Sequence, residues 1–109
     1  MLGEIVTVKI DRPIGSAHPS YPNTIYPINY GFVEGVFAPD GEEQDAYILG
    51  IDTPIDTFTG EVIAIIHRKN DIEDKWVVAY SDKKFTIEQI KEITHFQEKY
   101  YDIEIILNN

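Results

Sequence analysis

Between residues 4 and 10, apolar and polar side chains alternate imperfectly, Val6, Val8 and Ile10 against Ile5, Thr7 and Lys9. That period of two predicts a half-buried first strand. Further short strand-like runs occupy 30–37, 45–51, 61–67 and 76–80, separated by Pro39-Asp40-Gly41 and by the turn-rich stretch 52–60. Residues 103–107 read as a last edge strand before Asn108-Asn109. Short strands punctuated by turns predict a small antiparallel barrel or a strongly curled sheet.

One helix is signalled. Thr86-Ile87-Glu88-Gln89 has the spacing of a capping box, and Phe85 with Ile90 that of a hydrophobic staple. Ile87, Ile90, Ile93, Phe96 and Tyr100 then form an apolar stripe suited to covering one mouth or face of the barrel. Residues 11–27 differ from everything around them: four prolines, Gly15 and several Ser, Asn and Tyr residues predict a long structured loop. A loop of that length in a small domain is often functional.

With 109 residues the chain is expected to form one domain, 1–109, with one core. Its lack of cysteine excludes disulfides, thiolate chemistry and the usual structural zinc site. A net charge of −10 argues against nucleic acid and anionic membranes as partners. The sequence has no apolar run of membrane-spanning length, and a cytoplasmic protein is expected.

The acidic residues are unevenly placed. Positions 13–67 contain no Lys or Arg, and within them the turn Asp40-Gly41-Glu42-Glu43-Gln44-Asp45 crowds several carboxylates together. Carboxylates so close repel unless a positive charge sits between them, and a hard divalent cation such as magnesium, or manganese, would serve. The same segment would otherwise be an ordinary exposed turn.

Tyr26-Pro27-Ile28-Asn29-Tyr30-Gly31 precedes that turn, with Tyr30 ten positions ahead of Asp40. This block, followed by Asp40-Gly41-Glu42-Glu43-Gln44-Asp45, resembles the soluble (family I) inorganic pyrophosphatases, which pair a Tyr-Pro-x-Asn-Tyr-Gly block with an Asp-Gly-Asp-Pro/Glu-x-Asp signature. Asp74 ahead of Trp76-Val77-Val78-Ala79 is similar to the family's Asp-x-Lys-x-x-Ala strand, and His95-Phe96 through Tyr100-Tyr101-Asp102 to its helix motif. The likeness spans roughly residues 26–105.

The resemblance implies a mainly β fold, an OB-like five-stranded barrel with one C-terminal covering helix. It also implies magnesium-dependent hydrolysis of inorganic diphosphate to two phosphates by metal-activated water, in a protein that forms homo-oligomers. Carried over by position, Asp40, Asp45 and Asp74 would ligate metal and Glu42 would orient the attacking water. Tyr30 and Tyr100 would donate hydroxyl hydrogen bonds to phosphate. The chain departs from the family where residues 11–25 replace a stretch that supplies an arginine, a lysine and a glutamate. Trp76 and Tyr101 also stand where the family has lysines.

Two basic segments are candidates to fill that gap. Residues 67–75 bring Arg68 and Lys75 together with Asp71 and Asp74; beside the acidic turn, the two aspartates would complete the metal set and Arg68 would grip phosphate bidentately. The alternative is a solvated hairpin. In 11–19, Arg12, His18 and the amides near Gly15 and Ser16 suggest an anion-binding concavity, with a proline-stiffened surface loop as the plainer reading. Tyr26 and Trp76 are expected in the core, and His95 as a structural residue. The expected catalytic residues are therefore Glu42 and Tyr30, with Arg12, Arg68, Lys75 and Tyr100 on substrate and Asp40, Asp45, Asp71 and Asp74 on metal. Hydrolysis of another phosphorylated small molecule, or a non-catalytic barrel that binds a ligand or a protein, are the alternatives.

Overall fold

A computed structural model describes residues 1–71 and 73–108. Ile72, inside the predicted 67–75 segment, and Asn109, in the predicted terminal Asn-Asn, lie outside the described residues. The strands are β1 (Ile5–Arg12), β2 (Tyr30–Phe37), β3 (Glu43–Ile48), β4 (Thr57–Arg68), β5 (Asp74–Ala79) and β6 (Ile103–Leu107), with α1 (Ile87–Glu98) between the last two. Hydrogen bonding runs β1-β2-β3-β5-β4, and β4 returns to β1, so five strands close into a barrel with β6 added outside on β4. The β3–β5 pair is parallel and the others are antiparallel. Among the described residues, no helix is long and apolar enough to cross a membrane.

The barrel closes through β4, which is longer than the expected 61–67. Its first residues pair with β1, from Glu61 back to Thr57, and its remainder pairs with β5 and β6. Gly60, which reads as a turn residue in the sequence, sits inside this strand. A Cβ there would lie 2.6 Å from the carbonyl oxygen of Ala79 and 2.5 Å from the Phe58 ring, so only glycine permits the approach. Gly31 does the same for β2, where a Cβ would stand 1.9 Å from the carbonyl oxygen of Lys9 on β1.

Two apolar layers result. Val8, Val33, Ala46, Ile48, Val62 and Val78 come from all five barrel strands and fill its interior. Tyr47, Leu49, Ala64, Ile66 and Val77 line the outer wall, against Ile90 of α1 and Ile105 of β6. A register shift between Val62 and Ala64 explains how one strand serves both layers. Val62 pairs with Val78 but Ala64 pairs with Val77, so the intervening residue reverses the facing of everything after it. Ala64, Ile66 and Arg68 thereby turn outwards towards α1.

The capping box forms as expected: Gln89 N donates to Thr86 Oγ1 at 3.1 Å, and Thr86 N donates to Gln89 Oε1 at 2.8 Å. Phe85 packs in the same outer cluster as Ile90. The buried face differs from the predicted stripe. Ile90, Ile93 and Phe96 do pack inwards, but Ile87 and Tyr100 are exposed, and the face is completed by buried Thr94 and Glu98. Positions 90, 94 and 98 advance four residues at a time and so share one side of the helix. Thr94 satisfies its hydroxyl on the Ile90 carbonyl at 2.8 Å. Glu98 is satisfied by the barrel wall, where Arg68 Nε donates to its Oε1 at 2.9 Å and Arg68 Nη2 to its Oε2 at 2.6 Å.

Residues 11–27 begin with the end of β1, then make a pinned excursion. Gly15 N donates to Tyr26 O, Tyr26 N to Ser16 O and His18 N to Thr24 O, with Ala17 and Ile25 bridged. Asn29, fully buried, ties both sides of this region by accepting from Ile14 N and donating to Thr53 O.

Gly31→Ala should lower unfolding free energy by about 3 kcal/mol or prevent folding, since backbone rather than a movable side chain blocks the new methyl. Urea unfolding of the variant measures this, and a loss below about 0.5 kcal/mol would mean β1 can retreat freely. Glu98→Gln should cost about 3–5 kcal/mol, because the Arg68 charge stays buried without its bidentate partner. The same urea experiment checks it, and a loss within about 1 kcal/mol would show that the pair does not dock the helix.

Candidate active site

The outward facing that β4 acquires at its register shift meets matching positions on β3 and β5. Lys75 pairs with Ile66 across β5 and β4, and alternation on β5 puts Lys75 on the same wall as Val77. On β3, Asp45 shares the wall with Tyr47. Arg68, Lys75, Asp45 and Tyr30 thus line one cleft of about 230 Å³. Arg12, at the end of β1, borders it from the other side.

Lys75 is the cleft's centre. Its buried ammonium donates to Tyr30 Oη at 2.9 Å and to Asp45 Oδ2 at 2.5 Å, and also to Glu73. Burial alone would raise the Asp45 carboxyl, but the charge and hydrogen bond of Lys75 outweigh it and hold the group below its ordinary value. Burial, reinforced by the negative charge of Asp45, pushes the Tyr30 phenol well up, so its proton is retained across the physiological range. Arg68 joins the network through Glu73, 3.6 Å from its Nη1, and lies over the Tyr101 ring at 3.7 Å. Burial would lower the Arg68 guanidinium, yet its hydrogen bonds and attraction to Glu98 raise it above its ordinary value.

A second hydrogen-bonded path closes the circuit behind the cleft. Arg12 Nη1 donates to Tyr26 Oη, Tyr26 Oη to Gln97 Oε1, Gln97 Nε2 to Tyr47 Oη, and Tyr47 Oη to Glu98 Oε2, each at 2.6–2.7 Å. Every side chain in the path is therefore oriented by its neighbours, and Arg12 is further steadied over the Tyr26 and Tyr30 rings. Burial, with the Glu98 charge next, raises the Tyr47 phenol well above its usual value, so it remains a donor.

Among the residues expected from sequence, Arg12, Tyr30, Asp45, Arg68, Lys75 and Tyr100 border this cleft. The four expected metal ligands are not gathered. Asp40 and Glu42 are exposed on the turn before β3, where Asp40 Oδ1 accepts from Glu42 N at 3.0 Å. Asp71 is exposed on the turn after β4. Asp74 faces away from Lys75, and its Oδ1 lies 2.7 Å from Nδ1 of His67. Pleating sends neighbouring residues of a strand to opposite faces, so Asp74 and Lys75 cannot share a site. Reading the acid-x-lysine pattern one residue earlier, at Glu73 and Lys75, puts both on the same side.

Among the described residues, no three His, Asp or Glu side chains form a group that could hold a metal ion. Asp45, which lines the cleft, and Glu73 are both engaged by Lys75, and Glu98 by Arg68. These residues do not fit a resident cluster of magnesium ions. The expected anion concavity at 15–16 is also not formed, since Gly15 N is bonded to Tyr26 O and Ser16 N to Pro13 O. Glu73, Tyr47, Gln97 and Glu98 were not expected here. The one sequence signal for them is Glu98, a charge four and eight residues beyond Thr94 and Ile90 on the inner helix face.

This geometry has relatives. The inorganic pyrophosphatase family model matches residues 6–105. No curated protein sequence matches the chain. An inorganic pyrophosphatase from Ehrlichia chaffeensis is similar in structure, with a TM-score of 0.73 and 15% identity over 99% of this chain and 88% of the other. That of Neisseria gonorrhoeae gives 0.64 and 21% over 90% and 74%, and that of Thermus thermophilus 0.64 and 18% over 94% and 80%. At such identities the structures establish a shared barrel. The family match, which runs from β1 into β6 and takes in every strand that builds the cleft, carries the assignment further: the chain belongs to the inorganic pyrophosphatase family.

Proposed function

We propose that the chain hydrolyses a phosphoric anhydride, diphosphate in the first instance, held in the Arg12–Arg68–Lys75 cleft. The observation that carries this reading is a concentration of cations. In a chain of net charge −10, three cations line one cleft and Asp45 is the one carboxylate among its lining residues. Cations gathered at one cleft of an acidic protein, with Arg12 making no ion pair among the described residues, give an anionic substrate a place to bind. Membership of a family of diphosphate hydrolases supports the reaction class.

Phosphoryl transfer depends chiefly on positioning and charge neutralisation. Arg12 would hold the phosphate groups, with Lys75 and Arg68 adding their charge from their fixed places on Asp45 and Glu73 and on Glu98. Asp45, kept ionised by Lys75, would orient the attacking water. The water oxygen bonds to one phosphorus as the bridging P–O bond breaks, and one proton passes to the departing phosphate. Magnesium belongs to this reading as part of the substrate, arriving bound to diphosphate, because a small hard cation is readily held by substrate phosphates and one or two carboxylates.

Phosphate release from magnesium diphosphate tests the proposal. Arg12→Ala should lower turnover roughly a hundredfold, the usual consequence of losing one well-placed donor to developing charge. Arg12 is preferable to Arg68 for this purpose because it is not part of the buried helix-docking pair. Wild-type inactivity with magnesium, manganese and cobalt would leave a barrel that binds phosphate compounds without turnover.

Magnesium alone, at millimolar concentration, should leave the melting temperature unchanged, whereas magnesium with methylene diphosphonate should raise it. Saturation at a hundred times Kd adds about 2.7 kcal/mol of stability, a readily measured shift. A shift with magnesium alone that disappears in Asp45→Asn would establish a resident metal site instead.

A further inference from the structure

The cations occupy only part of the cleft. Most of its remaining border, Thr24 and Gln97 apart, is aromatic: His18 and Tyr21 from the 11–27 excursion, and Phe96, Tyr100 and Tyr101 from the end of α1 and the turn beyond. Phe96 and Tyr101 are accounted for by packing, the first against Tyr26 and Tyr47 and the second under Arg68. Tyr21 and Tyr100 are packed less, Tyr21 against His18 and Tyr100 with the Lys99 ammonium 5.3 Å from its ring centroid. They are 65% and 68% exposed, and both belong to the rim of the same cleft.

Bare diphosphate has no use for such rings. It presents oxygen in every direction and is served by charge and hydrogen-bond donors. A planar heterocycle is different, because its faces are poorly hydrated and stack on aromatic side chains. The rim is also positioned rather than loose. Tyr21 lies against His18 with ring centroids 5.1 Å apart, and His18 is stacked at 9° to the buried Tyr26, with centroids 6.1 Å apart. His18 Nδ1 accepts from the amides of Ser20 and Tyr21, which fixes the turn that carries Tyr21. The cleft volume of about 230 Å³ suits phosphate groups in its interior with a larger attached group lying across the opening.

We infer that the cleft takes a nucleoside diphosphate, with its phosphates on Arg12 at the cationic end and its base stacked on the aromatic rim of Tyr21 and Tyr100. This rests on the anion cleft proposed above and narrows its substrate class. It also gives Tyr100 a role through its ring face, where the family resemblance implied one through its hydroxyl.

Calorimetry with the full chain, using α,β-methylene-ADP and methylene diphosphonate as uncleavable probes, separates the two readings. The wild type should bind the ring-bearing probe at least tenfold more tightly than methylene diphosphonate. Tyr21→Ala and Tyr100→Ala should each erase about tenfold of that preference, as expected for loss of a base–aromatic stack. Tyr100→Phe should keep it, since only the ring face is needed, and loss of preference in that variant would restore the hydroxyl role and overturn the stacking. Equal affinity of the wild type for both probes would overturn the inference and leave the anion cleft standing. No binding of either probe would overturn the anion cleft and this inference with it.

Discussion

A full carboxylate, Glu98, is carried by α1 into the layer between helix and barrel wall and is met there by the two-pronged guanidinium of Arg68. Each charge would be expensive in that place without the other, and their opposition fixes both the rotation of the helix and its position along β4. The cleft follows from this pairing. Arg68 extends it to Glu73 and so to Lys75, Asp45 and Tyr30, while Glu98 extends it through Tyr47, Gln97 and Tyr26 to Arg12. A helix that ended its inner face in an apolar residue would cover the barrel equally well. It would leave the cations of the cleft unaligned.

The charge pattern of the chain serves the same end. With 19 acidic residues against nine basic ones, a cation placed at random would be surrounded by carboxylates. The sequence keeps Lys and Arg out of positions 13–67, then spends Arg12, Arg68 and Lys75 on one cleft. Most carboxylates remain on the solvent side, where water screens them. The carboxylates that do approach the cleft neutralise and aim its cations, which leaves them poorly disposed to receive a cluster of metal ions.

A single register shift decides much of this arrangement. Before it, β4 contributes Val62 to the barrel interior; after it, Ala64, Ile66 and Arg68 belong to the outer wall. Without the shift, Arg68 would share the facing of Val62 and point to the barrel interior. The close passages at Gly31 and Gly60 let the strands approach tightly enough to close the barrel while β4 continues past it to receive β6.

The local pattern of the sequence determined the strands, the capped helix, the edge strand and the mainly β barrel, because alternation, turn residues and capping chemistry act over a few neighbouring positions. It also marked Arg12, Tyr30, Asp45, Arg68, Lys75 and Tyr100, all of which border the cleft, by residue type and resemblance. Which face each strand residue takes was decided only in three dimensions. Alternation says that Asp74 and Lys75 oppose one another without saying which faces the site, and an extra residue in a ladder reverses the answer. The partners of Glu98, Tyr47 and Gln97 were likewise beyond reach of the sequence, since Glu98 and Arg68 stand 30 positions apart and Tyr26 and Gln97 stand 71. Charges so far separated along the chain meet only when helix and barrel pack, and it is packing that turns their burial from a cost into a fixed geometry.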